Sequence, residues 1–514
     1  MAESYTLKYI KLYVVEMLSI LLGIVSLFVV VPYISGNKEI YGVYSLCIST
    51  MVFIAYADLG FLGASSKFAA EYYKQGRRKD EIEVLSFGSF VLFLVALLLS
   101  AFYFVLSYNP EIVIKGISES PHLGVARKLF FWMAIFSPFT ALSRLTASIY
   151  SIRVENYINS FISIIGYALR ILSVFYFFGG GRYDIVEYFI FIQAVPVLCT
   201  AVSFFIARKR YDYDLMELAK AFRWNKKCFD STKDLALSSF AMTLAWILYY
   251  EIDQIVIGKY YGASQVALYA IAFAILNYVR MFLGGLFVPF TSRFAHFRAA
   301  NDVNGLKGFF VTVVNITCPI VVCPLLALTI LDTNFVTAWS GPQYLEAVPL
   351  TTLFVLLNIF AFFSYPCGSI VTVFEKTKTI RMMALLMPTI YWIGILLLPK
   401  SLSIVSFGIM KNVVFWLQIF VYVAISFKIL KVNWVSFISK MIKFNILPII
   451  VVTVFSLLAK QFIFIGEKSM LNLLQICGVI IVVSLIGYGS TFLVNPLVRE
   501  YVKGLQGRLF HKSI

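Results

Sequence analysis

The chain has 514 residues, 61% apolar and 13% charged, with mean hydropathy +0.87 and formal net charge +17. Soluble globular chains are about 45–50% apolar and about 25% charged, so a soluble protein is excluded and a polytopic membrane protein remains, with room for about 14 spans of about 22 residues. A pI near 9.4 would suggest a nucleic-acid partner in a soluble chain, but in a membrane protein loop topology must be tested first.

Apolar runs able to cross about 30 Å of hydrocarbon fall first at 12–34, 41–64, 84–108, 129–152, 158–179 and 188–207. The run at 12–34 is too long for the apolar core of a cleavable signal peptide and lacks a small-residue cleavage site. A polar segment rich in Lys and Arg, 208–234, follows. Six further runs lie at 235–258, 264–290, 308–331, 349–374, 382–398 and 403–427, and two more at 444–464 and 470–494. The predicted fold is all-α and polytopic, with about 14 transmembrane helices. Its expected parts are an N-lobe over 1–207, a linker over 208–234, a C-lobe over 235–430, and two extra helices with a tail over 431–514.

Loop charge orients these spans. With a cytoplasmic N-terminus, the inner segments carry 30 basic against 14 acidic residues, net +16. The outer segments, with Lys460 at the outer end of the run 444–464 counted among them, carry 9 against 8, net +1. Both termini are therefore expected in the cytoplasm. The basic excess orients the chain and attracts anionic lipid headgroups, so it requires no nucleic acid.

The two six-helix halves resemble each other. Tyr44-Ser-Leu-Cys47 in span 2 is echoed by Tyr269-Ala-Ile-Ala272 in span 8, at an offset of 225. Ser65-Ser-Lys-Phe-Ala69 matches Thr291-Ser-Arg-Phe-Ala295 at an offset of 226, and Leu59-Gly60 falls opposite Gly284-Gly285. Six spans is an even offset, so the halves share one orientation and form a parallel pseudo-repeat.

Several chemistries find no support. Six of the seven cysteines lie in apolar runs and Cys228 sits alone in a basic segment, with no metal-ligand spacing. His122, His296 and His511 are scattered. No Walker-type GxxxxGK[ST] phosphate loop is present. No loop is long enough to fold as a catalytic domain, so function must lie within the membrane.

Ionisable residues inside spans cost about 2.5–3.5 kcal/mol each on insertion scales and default to function. Leaving aside Lys460, near the outer end of the run 444–464, there are eight such residues. Arg144, Arg170, Arg280 and Lys411 are candidates for a cationic cavity, where the guanidinium fork suits phosphate. Glu16, Asp58, Glu251 and Asp253 are candidates for binding a coupling ion, for gating, or for neutralising the cations. Asp58 precedes Leu59-Gly60, where a carboxylate and a glycine can loosen the helix. Glu251 and Asp253 are two apart, about 200° around a continuous helix. Asp253 is expected near the outer, wet end.

The stretch Ala57-Asp-Leu-Gly-Phe-Leu-Gly-Ala-Ser-Ser-Lys-Phe-Ala-Ala-Glu-Tyr72 resembles the helix 2 signature of bacterial polysaccharide flippases, the O-antigen and capsule lipid-linked oligosaccharide translocases. Glu251–Ala270 resembles their helix 7–8 junction, and Phe335–Tyr344 their outer loop after helix 9. These proteins belong to the multidrug, oligosaccharidyl-lipid and polysaccharide exporter superfamily. The resemblance implies two six-helix lobes around a central cavity, plus two C-terminal helices. It implies transfer of an undecaprenyl-pyrophosphate-linked repeat unit to the outer leaflet of the bacterial inner membrane, driven by H+ or Na+. Arg280 and Asp253 match positions where the family often carries charge. Membrane lipids, polysaccharide polymerase and chain-length proteins are the implied partners. Alternatives are a multidrug exporter or peptidoglycan-precursor flippase of the same fold, or a membrane polymerase.

The orientation is testable with truncated fusions. A reporter fused after Lys220 should read as cytoplasmic and one fused after Ser118 as external. The opposite pattern would reverse the assignment.

Overall fold

Lipid offers a peptide group no hydrogen-bond partner, so an apolar chain crosses it as helices that pair their own backbone. A computed structural model of the chain describes residues 5–56 and 58–499, and every regular element among them is helical. The tail beyond residue 499, with His511, lies outside the described residues, as do the side chains of Lys8 and Lys11.

By packing, the chain forms two units, Met1–Ala267 and Leu268–Ile514. The first contains α1 (Tyr5–Ile34), α2 (Lys38–Tyr56), α3 (Phe61–Lys74), α4 (Arg78–Tyr108), α5 (Leu123–Phe136) and α6 (Phe139–Ser151). It continues with α7 (Tyr157–Phe178), α8 (Ile185–Tyr211), α9 (Leu215–Ala221), α10 (Lys226–Trp246) and α11 (Asp253–Tyr261). Here α1 packs on α7, α4 on α3, α5 and α6, α8 on α6 and α7, and α10 on α3. At the boundary, α12 (Ala263–Ala299) leads into the second unit. There follow α13 (Val303–Ile330), α14 (Asp332–Ser340), α15 (Val348–Leu357), α16 (Ala361–Val373), α17 (Thr377–Leu397), α18 (Val405–Leu430), α19 (Trp434–Phe462) and α20 (Met470–Val494). In this unit α18 packs against α15, α16 and α17, while α13 packs against α16, α19 and α20.

The chain is a multi-pass membrane protein. Ten helices among the described residues are long and apolar enough to cross a bilayer, and three bent pairs raise the number of spans to as many as 13. The bends are 43° between α5 and α6, 41° between Lys226–Glu251 and α11, and 46° between Pro342–Leu357 and α16. The expected span 41–64 is built from α2 and α3, with a turn at 58–60 between them. Outward-facing side chains such as Leu98, Leu172 and Leu471 are largely exposed, which suits contact with acyl chains.

Two segments that read as loops are folded. Within 208–234, α9 packs on α4. The Phe222 ring meets Phe90 and Phe93 at 5.5 and 5.6 Å, and the Trp224 ring meets Phe87 and Phe229 at 5.6 and 5.0 Å. By packing, α9–α11 group with the first unit, which ends at Ala267. The segment after α13 holds α14, which packs on α20; the Asp332 carboxylate accepts the Thr333 amide at 2.6 Å and the Thr352 hydroxyl.

A deeply buried ion pair lies at the basic end of the first unit. Arg153, in the turn between α6 and α7, donates to Glu81 of α4 at 2.7 Å, with side-chain exposures of 3% and 1%. Tyr213 donates to the same carboxylate, and Arg78 lies 3.3 Å from it. The Arg153 guanidinium stacks near Tyr73 and Tyr211, 4.4 and 4.7 Å from their ring centres. Next to it, Glu155 accepts Arg210 at 2.8 Å and the Tyr211 hydroxyl at 2.5 Å. Burial pushes the Tyr213 phenol up, which keeps it a donor. Val154, between the two charged residues, takes φ 56°, a left-handed conformation that costs a β-branched residue about 1–2 kcal/mol.

Removing one partner strands a buried charge, so Arg153→Ala should lower stability by about 3–5 kcal/mol. Val154→Gly should raise it by about 1 kcal/mol. Thermal unfolding of the purified protein in detergent measures both; an unchanged Arg153→Ala would show that the pair holds nothing together.

Candidate functional site

The site lies between two helix breaks. At the first, Leu59 and Gly60 take φ of 50° and 79°, turning the chain from α2 into α3. The amides freed there are recovered locally. Asp58 accepts Gly60 N–H at 3.2 Å and Gly63 N–H at 3.4 Å through its carboxylate, and Phe61 N–H at 2.8 Å through its carbonyl. A Cβ on Gly60 would sit 2.4 Å from the Ala236 carbonyl oxygen of α10. Positive φ and close backbone approach both demand glycine.

The second break is at Ser137-Pro138. Proline lacks the N–H that would pair with the carbonyl of residue 134. Ser100 of α4 donates its hydroxyl to that Ala134 carbonyl instead, at 2.6 Å. Beyond the bend α6 reads Phe139-Thr-Ala-Leu-Ser-Arg-Leu-Thr-Ala-Ser-Ile-Tyr-Ser151, a hydroxyl-rich stretch with one arginine.

This places Arg144 on the wall of two cavities. The larger, about 400 Å³, lies among α6, α7 and α8; its polar lining includes Arg144 and Arg170 with Asn159, Ser163, Tyr167 and Thr200. No carboxylate lines it. Its volume is within the range of about 300–1,000 Å³ usual for small-molecule sites. The smaller, about 270 Å³, is lined by Asp58 and Arg144 with Ser66, Ser148, Ser151 and Asn156. Arg144 and Ala147 border both. Arg170 is oriented by the buried Tyr188, whose hydroxyl it approaches at 3.4 Å. Arg144 is exposed and makes no ion pair or hydrogen bond among the described residues.

The structure thus gathers Asp58, Arg144 and Arg170 from the eight in-span charges. The other five line neither cavity. Glu16 is half-buried on α1. Glu251 ends a π-helical turn, Ile247–Glu251, and Asp253 begins α11 beyond a 41° bend. A continuous-helix angle between them therefore does not apply. Asp253 is fully buried, contrary to the wet position expected from its place near a helix end. In the second unit, Arg280 is half-buried on α12. Lys411 is fully buried on α18, its ammonium 4.5 Å from the Tyr391 ring centre.

Sequence reasoning missed the uncharged lining, Asn156, Asn159, Ser163 and Thr200. The signal available was the hydroxyl-rich half-span after Pro138, continuing into Asn156 and Asn159. It also counted Glu81 and Arg153 as loop charges, because burial at a loop leaves no trace in hydropathy.

Residues 8–294 match the family described as polysaccharide biosynthesis protein. No curated protein matches the chain. Among solved structures, the lipid II flippase MurJ in an inward closed conformation is 15% identical, with TM-score 0.68 over 94% of this chain and 98% of that one. A multidrug resistance MATE family transporter in an inward-facing conformation is 12% identical, with TM-score 0.61 over 82% and 98%. A MOP superfamily transporter from Pyrococcus furiosus, described by the reverse polarity of its binding pocket, is 13% identical, with TM-score 0.52 over 83% and 96%. The fold is thus the one seen in these membrane transporters.

Gly60→Ala should displace α10 from the α2–α3 turn and destabilise the protein by more than about 1 kcal/mol. Thermal unfolding measures the loss, and a wild-type melting temperature would rule out the close approach.

Proposed function

The chain belongs to the family of polysaccharide biosynthesis proteins, and from that premise we propose that it flips a lipid-linked oligosaccharide. The substrate in this reading is an undecaprenyl-pyrophosphate-linked repeat unit of O-antigen or capsule. It moves by alternating access from the cytoplasmic to the outer leaflet of a bacterial inner membrane, with both chain termini in the cytoplasm.

One observation carries the reading: the larger cavity holds two arginines, hydroxyl and amide side chains, and no carboxylate. Guanidinium forks suit pyrophosphate. Hydroxyls and amides suit sugar hydroxyls. A cationic drug would meet like charge there. Arg280 and Lys411 are further cationic candidates in the second unit. Asp58 is the first candidate for responding to a coupling H+ or Na+, followed by Asp253, Glu251 and Glu16. Polysaccharide polymerase and chain-length proteins would receive the flipped unit.

In a deletion strain, Arg170→Ala and Arg144→Ala should each lower surface polysaccharide at least about tenfold, the loss expected when a charged contact worth about 1.4 kcal/mol is removed, at normal protein levels. Lysine at either position should restore only part of it, because the bidentate fork is lost. Wild-type polysaccharide from both alanine variants would overturn the assignment. Drug efflux from vesicles, with no polysaccharide defect on deletion, would replace it with the multidrug reading.

A further inference from the structure

We propose that Arg144 is shared between two partners, the Asp58 carboxylate in the smaller cavity and the anion held with Arg170 in the larger one. The charge on Asp58 then sets how firmly the larger cavity takes an anion. The proposal rests on the anion-pocket reading above and assigns a device to it.

The geometry has three parts. Arg144 is the one polar residue bordering both cavities. Its side chain is exposed and bound to nothing among the described residues, so it is free to swing. Asp58 is held by two long amide contacts of 3.2 and 3.4 Å, with no cation in ion-pair range among the described residues. A carboxylate and a guanidinium thus line one small cavity without having closed on each other.

The charged surroundings of Asp58 are few. Of the residues that α3, α4, α6 and the turn before α7 contribute to its cavity, only Arg144 is charged. From α10, Ala236 and Ser239 approach the adjoining Gly60, and neither is charged. An ionised Asp58 therefore draws Arg144 toward the smaller cavity. A protonated Asp58 gives up that attraction, and Arg144 turns to join Arg170. Anion binding should strengthen as pH falls, and by reciprocity an anion in the larger cavity favours proton uptake at Asp58. Proton and anion then load together.

The test is calorimetric binding to the purified full chain, at about pH 4 and about pH 7, a range that spans ordinary carboxylate protonation. The probe is inorganic sulfate, which stays a dianion across that range. The wild type should bind at least about threefold more tightly at the lower pH, and Asp58→Asn should bind equally tightly at both. The Asn oxygen still accepts Gly60 N–H, so the turn is retained, and Asp58→Ser serves as a second variant should Asn fail to fold. Arg144→Gln should weaken binding and abolish its pH dependence, and adding Asp58→Asn to it should change nothing further. Sulfate binding that needs Arg170 but keeps its pH dependence in Asp58→Asn would overturn the switch and leave the pocket standing. Absence of sulfate binding, or binding indifferent to Arg170→Gln, would overturn both.

Discussion

Hydrocarbon supplies no hydrogen bonds, and this governs where the protein can place polar chemistry. Each interruption of a membrane helix frees peptide groups that need partners. At 58–60 the Asp58 carboxylate takes two amides. At 137–138 Ser100 reaches across from α4 to the carbonyl that Pro138 leaves free. Near 358–360, Asn358 donates its own side-chain amide to the Phe354 carbonyl at 3.3 Å. Polar side chains therefore collect where helices break, and the candidate site is flanked by two such repairs. The same groups that make the bends tolerable give the cavities their polarity.

Charge follows a second logic. Depth in the membrane is a good guide to which charges are costly, since α7 carries Arg170 far from either end. It is a poor guide to which are most deeply buried. Helix α4 has 31 residues, about 46 Å of helix, against about 30 Å of hydrocarbon. Its first turns extend past the apolar layer, and there Glu81, Arg153 and Tyr213 form a packed interior of their own. A buried ion pair is weak evidence for net stability. Its value here lies in joining α4, the α6–α7 turn and the end of α8 in one arrangement.

Much of this was legible in the amino-acid sequence. Every expected apolar run is helical over most of its described residues, because run length and lipid thickness are tightly linked, but the breaks within four of them were not foreseen. The internal repeat survives in detail: Tyr44 and Tyr269 are each the seventh residue of α2 and α12, and both are buried. The halves then part company. At the offset of 225, Asp58 faces Leu283 in the second half. With no carboxylate to take freed amides, α12 runs on unbroken to Ala299. Less legible was the cavity wall, because Ser, Thr and Asn in a span satisfy their own helix as readily as they line a pocket. The sequence also could not separate Arg144 from Lys411, since a flexible cation that faces a cavity and one sealed against a tyrosine ring look alike in a hydropathy plot.

The polar segment after α8 is basic, short of apolar runs and joins two lobes, so it reads as a tether. In the structure its rings are threaded into α4 and α10, with Phe222 between Phe90 and Phe93 and Trp224 between Phe87 and Phe229. A tether tolerates a change of length; a threaded segment does not, because one added residue turns every ring away from its socket. Near the other end of α8, added Cβ atoms on Gly179, Gly180 and Gly181 meet nothing within 4 Å. For protein engineering the usual intuition is reversed. The triple glycine, and not the interlobe segment, is where a tag or fluorescent domain can be inserted without disturbing the fold.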